Sequence, residues 1–334
     1  MRSTAVLFFL SCLGACPLSA QTPFQLVSAE AHRLATAETV VLPAKCDGEG
    51  NVYFRIQPAG PGLFDVVRIS LEGAQKAIYR YSDVPELKGS LVDDFAIGAD
   101  GKVYELVELG EGHVLVLEFS EKGEFEGKTE LQGKPLFNPS QLVVLTGGNF
   151  FVSGSLIGDK AGHGVGNPFN AIFNTSGDLV RKFSLKKDAD PKVSPNTADR
   201  SGNANLAVRF GRALLGDDGN LYVMRAASPA LVYVISPAGN VMRTLRIMPP
   251  VKKAEPVALL TGSGRIAVEF SVPDAPDIAD TTIRVADSRS GHTVMDYRIT
   301  WQLGEAVACY SQDEFTFVGS GEDMWPSIMR AATH

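Results

Sequence analysis

The sequence predicts an all-β fold: a six-bladed β-propeller with four antiparallel strands per blade, closed by an N-terminal strand in the last blade. Three observations predict it. A strand–turn–strand unit recurs six times, a second glycine-ended turn trails it, and the last repeat lacks a fourth strand while unassigned residues precede the first.

The unit is clearest at residues 214–226, LLGDDGNLYVMRA, which reads as a strand, an Asp-Gly turn and a second strand. Its copies are Gly50-Asn51-Val52-Tyr53, Gly101-Lys102-Val103-Tyr104, Gly148-Asn149-Phe150-Phe151, Gly219-Asn220-Leu221-Tyr222, Gly264-Arg265-Ile266-Ala267 and Asp313-Glu314-Phe315-Thr316. The steps between their fourth residues are 51, 47, 71, 45 and 49. A period mostly in the forties with strand composition points to propeller blades, not to helical solenoids. The third position is apolar in every copy, as a strand buried at each repeat requires.

The second turn follows at Ser70-Leu71-Glu72-Gly73, Ser120-Glu121-Lys122-Gly123, Asn174-Thr175-Ser176-Gly177 and Ser236-Pro237-Ala238-Gly239. A version one residue longer runs from Asp287 to Gly291. The opening Ser, Asn or Asp bonds the backbone ahead of it, and the glycine takes the left-handed conformation that ends the turn. Each repeat therefore holds strands A and B around the first turn and C and D around the second. The predicted blades cover residues 44–81, 90–132, 139–185, 205–248, 255–300 and 305–332. The last has one strand after B, near 325–332, so a strand from residues 24–42 is expected to complete it and cover its open edge.

Composition sets the outer limits. The chain has 334 residues, 45% hydrophobic and 21% charged, with 33 Gly and 19 Pro, which describes a turn-rich globular protein. One ring spanning residues 21–334 is expected as a single domain. Residues 1–20 read as a signal peptide: Arg2, an apolar run over 5–15 and a small-residue site at Leu18-Ser19-Ala20. Leu13-Gly14-Ala15-Cys16 resembles a lipoprotein box, which offers Cys16 as a lipid anchor. The protein is thus expected to be exported: periplasmic, secreted or lipid-anchored to the envelope. No stretch has the ~20 apolar residues of a transmembrane helix. A net charge of −7 argues against nucleic acid as a partner.

Cys46 and Cys309 each lie seven residues before the fourth unit position, on strand A of the two blades that meet at closure. A disulfide between them is open to an exported protein. Divergence of neighbouring strands favours the other reading, two buried thiols.

Consecutive connections in an up-and-down sheet alternate between its ends. The A–B and C–D turns are tight, so all the length variation falls on the opposite face, at 57–64, 82–89, 154–168, 186–204, 271–280 and 319–324. Long connections on a rigid scaffold are where a ligand is expected. Residues 186–204, polar and without period, are expected to form an exposed, mobile loop. Strand A lines the channel, and its candidate ligand-binding residues at the mouth are Asp93, Asp94, Arg209, Arg212 and Tyr310, with Lys45 beside them. The arginines suit a carboxylate, phosphate or sugar acid; the competing reading pairs them with Asp93 or Asp94.

Other motifs have plainer readings. Asp274, Asp277 and Asp280 form an acidic loop without EF-hand order. Asp47 and Asp217-Asp218 belong to A–B turns. Residues 154–170, GSLIGDKAGHGVGNPFN, have no P-loop spacing and read as a lid. Trp301 and Trp325 suit stacking on sugar or peptide, or filling between blades. The histidines show no metal-ligand spacing, and no Gly-x-Ser-x-Gly elbow occurs. No catalytic residue, metal ligand or cofactor is assigned, and a divalent metal finds no support in spacing.

With the repeat laid out, the chain resembles six-bladed propellers of the NHL-repeat and TolB-like superfamily. The matching stretches are Asp218-Gly219-Asn220-Leu221-Tyr222-Val223, Gly50-Asn51-Val52-Tyr53, Asp100-Gly101-Lys102-Val103-Tyr104 and Val234-Ile235-Ser236-Pro237-Ala238-Gly239. The resemblance implies an architecture and carries no site residue over. The expected function is a non-enzymatic interaction propeller that docks a protein, peptide or glycan on its long-loop face. The alternative is a metal-dependent hydrolase or lyase in the channel mouth, with Asp93, Asp94 and a loop acid as ligands.

Overall fold

The computed structural model describes residues 23–34, 39–57, 64–84, 87, 91–110, 112–157, 168–182, 185, 194–195, 212–225, 227–272, 281–299, 303, 306–320 and 325–333. It is an all-β, propeller-like arrangement of four-stranded antiparallel sheets. In chain order the strands are β1 (Phe24–Arg33), β2 (Thr39–Cys46), β3 (Val52–Gln57), β4 (Asp65–Ile69), β5 (Gln75–Tyr79), β6 (Leu91–Ile97), β7 (Val103–Glu108), β8 (Val114–Phe119), β9 (Phe125–Glu130), β10 (Phe137–Val144), β11 (Phe150–Leu156), β12 (Pro168–Phe173) and β13 (Leu179–Lys182). They continue with β14 (Ser194–Pro195), β15 (Ala213–Leu215), β16 (Leu221–Arg225), β17 (Ala227–Ser228), β18 (Ala230–Ile235), β19 (Val241–Ile247), β20 (Glu255–Gly262), β21 (Arg265–Ser271), β22 (Thr282–Asp287), β23 (Thr293–Arg298), β24 (Ala306–Ser311), β25 (Glu314–Ser320) and β26 (Pro326–Thr333).

Four sheets stand alone: β2-β3-β4-β5, β6-β7-β8-β9, β10-β11-β12-β13 and β15-β16-β18-β19. Strands β14 and β17 form a two-stranded pair, and the other eight strands form one sheet, β20-β21-β22-β23-β1-β26-β25-β24. Its two antiparallel halves meet at β1, which pairs antiparallel with β26 and, at Phe24 and Gln25, parallel with β23. The N-terminal strand expected beside the last repeat is therefore β1, with Leu26 opposite Thr333 and Arg33 opposite Ser327. Trp325 helps hold it: its Nε1 donates to the Leu34 carbonyl at 3.0 Å, and the Arg33 guanidinium lies over its ring.

The inner strands β2, β6, β10, β15, β20 and β24 neighbour one another in turn, and β24 returns to β2. Between successive sheets lie apolar layers. Tyr53, Tyr79, Phe95, Val103 and Phe119 fill the gap between the first two sheets, and Phe137, Phe150, Phe169 and Phe173 fill the next. Inner-sheet strands are therefore buried on both faces, as in β4, β7 and β18, and show no polar alternation.

Both turn signatures fold as the sequence requires. Gly73, Gly123, Gly177, Gly239 and Gly291 have φ between +74° and +89°, and Asp313 takes φ +65° where the sixth unit lacks glycine. These second turns also seat against the outer strand of the sheet before them. A Cβ on Gly123 would lie 2.2 Å from the Ile78 carbonyl oxygen, and one on Gly177 1.9 Å from that of Glu130. Arg68 to Glu121 (2.6 Å) and Arg243 to the Ser288 carbonyl (3.2 Å) add polar links to the following turn.

Strand β2 begins at Thr39, ahead of the expected 44, because residues 39–41 resume pairing with β3 beyond a bulge that contains Pro43. Similar shifts of register interrupt β6, β10, β20 and β24. Each bulge bends the inner strand and re-aims the side chains beside it.

Two expectations are corrected. Cys46 and Cys309 are not free thiols: they form a disulfide, with Cα atoms 5.7 Å apart. Neighbouring sheets diverge outward, but β2 and β24 lie next to the axis, where the separation still permits a bridge. The segment expected to be an exposed, mobile loop is anchored in its middle, where Ser194 and Pro195 pair with Ser228 and Ala227. Its other positions and most of the long connections lie outside the described residues.

Candidate functional site

A cavity of about 730 Å³ occupies the channel. Its wall is made by the inner strands, including Leu42, Ala96, Leu142, Leu214 and Leu259, and it extends to the A–B turns at Asp47, Asp217 and Gln312. This is the tight-turn end, opposite the long connections. Tight turns are too short to roof the channel, so the cavity reaches that mouth.

Four charged side chains gather in this interior. Lys45 Nζ, on β2, donates to both Asp94 oxygens at 2.8 and 2.9 Å, donates to the Phe95 carbonyl, and lies 4.9 Å from the Phe95 ring centre. Asp94 Oδ2 also accepts from the Leu142 amide at 2.8 Å. This buried carboxylate thus joins three consecutive sheets, and the β6 bulge next to it sets its direction. Burial holds the Lys45 ammonium below its ordinary pKa, although Asp94 acts in the opposite sense.

Arg212 lies at the entry to β15, with φ +81°. Its carbonyl accepts from the Met224 amide, which fixes that conformation. A bulky side chain seldom occupies this region, and such strain is concentrated at functional positions. Among the described residues, the Arg212 guanidinium makes no side-chain hydrogen bond. Burial lowers its pKa, and the charges of Asp94 and Glu269 act against that shift.

Glu269 stands on β21 and is 8% exposed. Burial pushes its pKa up to about 7, while Arg212 and the Val307 amide pull it down.

A second polar cluster lies between the first two sheets. Glu105, on β7, is fully buried between Val103 and Val107, and neither carboxylate oxygen has a hydrogen-bond partner among the described residues. Burial holds its pKa well above the usual range; Asp65 raises it further and Arg55 opposes. Arg55 donates to the carbonyls of Leu42, Val92 and Asp93 at 2.9 to 3.2 Å and so ties the two sheets.

Of the residues predicted at the mouth, Asp94 and Arg212 come together. Asp93 is adjacent, and its carbonyl receives Arg55. Tyr310 lines the cavity, but its ring stacks on Phe315 and its hydroxyl donates to Asp313 at 2.9 Å, where burial pushes its pKa up to about 12. It braces a turn. Arg209, the acidic loop at 274–280, His163 and Trp301 lie outside the described residues. The turn acids do what hairpins require: Asp47 accepts from the Asn51 amide and the Tyr53 hydroxyl, and Asp218 from the Asn220 amide and the Tyr222 hydroxyl. Glu269 and Glu105 fall outside the predicted set because they stand on the second strands of their sheets, β21 and β7, and not on strand A. Their signal was legible: a single acid inside an otherwise apolar strand, as in Ile266-Ala267-Val268-Glu269-Phe270. No group of three or more His, Cys, Asp or Glu among the described residues is placed to hold a metal ion, and no described helix is long and apolar enough to cross a membrane.

No protein-family model matches the chain, and no curated protein matches it. Solved structures do resemble it. A protein of unknown function from Dyadobacter fermentans has TM-score 0.54 at 9% identity, covering 92% of this chain and 99% of that one. A luciferin-regenerating enzyme has TM-score 0.51 at 10% identity, covering 91% and 95%. A protein of unknown function from Bacteroides caccae has TM-score 0.48 at 14% identity, covering 83% and 94%. At these identities the likeness is one of fold alone.

Proposed function

We propose that the chain is an exported, non-enzymatic interaction propeller of six blades, akin to the NHL-repeat and TolB-like group, that docks a protein, peptide or glycan over its channel. The six-blade reading counts the eight-stranded sheet as two blades that share β1 as a bridge. The observation that carries the binding role is the channel cavity, walled by both aliphatic and charged residues, with the Arg212 guanidinium making no side-chain hydrogen bond among the described residues. A cavity of this size with a few polar groups is what a recognition site requires. The long connections, expected from sequence to hold the partner, then frame the opposite mouth.

The test is an equilibrium binding screen on peptide and glycan arrays, followed by competition with an Arg212→Gln variant. Saturable binding weakened by that substitution supports the reading. Binding that is absent throughout, or indifferent to Arg212, removes it.

The metal-dependent alternative meets a specific obstacle. Both Asp94 oxygens are engaged by Lys45 and the Leu142 amide, so a cation at Asp93 and Asp94 has to displace the ammonium. Stoichiometric calcium or zinc in protein purified without supplementation supports the alternative.

A further inference from the structure

We propose that the Cys46–Cys309 disulfide is a reducible clasp in the channel wall: a small dithiol that enters the cavity opens the bond in the folded protein, and the inner strands of the first and last sheets are then free to part. This goes beyond the binding role proposed above and does not depend on it.

The bond fastens the axis end of the seam where the ring closes. β2 and β24 belong to different sheets, so no ladder of backbone hydrogen bonds joins them, and the disulfide is the covalent link between them. The rest of the seam is held by other means. Val52, Phe54, Val67, Val318 and Ile328 form an apolar layer between the two sheets. At the outer rim the turn at Gly73 seats on β1, where a Cβ would lie 2.7 Å from the Arg33 carbonyl oxygen, and β1 is paired along β26. Opening the sulfur bridge therefore leaves the ring closed and loosens it beside the axis.

The same seam gives a reductant its way in. Cys46 and Cys309 are half-buried and both line the cavity. The cavity runs outward between the first and last sheets, past Leu71 on one side and Glu314, Thr316 and Arg330 on the other. Its volume of about 730 Å³ admits a small dithiol, and disulfides open to solution are the labile ones. The chain beside each cysteine carries a polar group of the channel. Lys45 adjoins Cys46 and donates to Asp94 of the next sheet. Val307 precedes Cys309 across a bulge and turns its amide to Glu269. In the exchange, one thiolate of the dithiol attacks a bridge sulfur, forms a mixed disulfide and releases the other cysteine as a thiolate. The second thiolate of the dithiol attacks its own bound sulfur and releases the remaining cysteine. The dithiol leaves as a cyclic disulfide, oxidised by two electrons. The protein gains two thiols, and their protons balance the two that the dithiol gave up to solvent.

The experiment treats the oxidised full chain with dithiothreitol in native buffer, quenches with iodoacetamide at intervals and maps the peptides that hold Cys46 and Cys309. The rate of reduction is expected to rise linearly with dithiothreitol concentration, as direct attack on the folded protein requires. The near-ultraviolet circular dichroism and the elution volume are expected to stay native throughout. Hydrogen exchange read by mass spectrometry then compares the oxidised and reduced chains. Amides of β2 and β24 are expected to exchange about tenfold faster after reduction, with β11 and β12 unchanged. The double variant Cys46→Ser/Cys309→Ser should show the reduced pattern with no reductant present, which separates loss of the bond from any other action of the dithiol. The inference is overturned if the reduction rate levels off at the rate of global unfolding, if the native spectrum disappears with the bond, or if β2 and β24 exchange no faster once reduced. Blank peptide and glycan arrays together with faster exchange confined to β2 and β24 would remove the binding role and leave the clasp standing.

Discussion

Removing the Cys46–Cys309 disulfide gives the clearest stability prediction. The two cysteines are 263 residues apart in sequence, so the bond closes most of the chain into one loop. In the chain-entropy treatment a loop of that length restricts the unfolded state by about 5 kcal/mol, and measured values for native bridges are commonly 2–5 kcal/mol. The effect is separate from the hydrogen-bonded closure by β1 on β26, because that pairing exists in the folded state alone. The perturbation is the double variant Cys46→Ser/Cys309→Ser, which leaves no lone partner. The assay is urea unfolding of oxidised wild type and variant. With an m-value on the order of 3 kcal/mol/M, the midpoint falls by roughly 0.7 to 1.7 M. The slope should rise, because the unfolded chain without the cross-link exposes more surface. Coincident midpoints, or peptide mapping that finds Cys46 and Cys309 unlinked under oxidising conditions, would refute the reasoning.

Three further predictions concern the scaffold. Glu105 has a folded pKa raised above its unfolded value near 4.5, so the folded state holds the proton more tightly. Stability is then full below the unfolded pKa and declines as pH rises toward the folded one, by up to about 1.4 kcal/mol per pH unit. Glu105→Gln keeps the shape without the charge, so its stability at pH 7 to 8 should exceed that of wild type while the two converge near pH 4. Unchanged pH profiles in thermal melts would count against a neutral Glu105. Gly177→Ala should lose more than about 2 kcal/mol, since it meets both a φ of +84° and the Glu130 carbonyl oxygen, while Gly48→Ala, with nothing near its Cβ, should be nearly silent in the same denaturation series. Deleting residues 23–34 removes β1 and exposes the edges of β23 and β26. Light scattering should then show aggregation at concentrations where the full chain stays monodisperse; equal scattering would mean those edges are protected by something else.

The period and its turns were legible because they are local. Gly73 and Gly177 are needed for φ, and Val52, Val103 and Leu221 for burial, so the repeat announces itself in single residues. The closing strand was legible from an accounting of strands, although its boundary with β2 was not. The bulge that lets residues 39–41 pair depends on Pro43 in three dimensions. The disulfide was misjudged because strand divergence was treated as uniform, whereas it vanishes near the axis. In the site, Asp94 and Arg212 were readable as inward residues of strand A. Their partners were not, because Lys45–Asp94–Leu142 spans three sheets and no sequence spacing encodes it. Glu269 approaches the channel from a second strand, through the gap that a bulge in β20 opens beside Ala258.

The most direct test of the functional account is a crystal structure with a ligand from the binding screens, collected together with its Arg212→Gln counterpart. The account predicts ligand density inside the channel, with a polar group of the ligand within hydrogen-bond distance of the Arg212 guanidinium and the Lys45–Asp94 pair left intact. Density on an outer blade edge, or in the channel with Arg212 turned away, contradicts it.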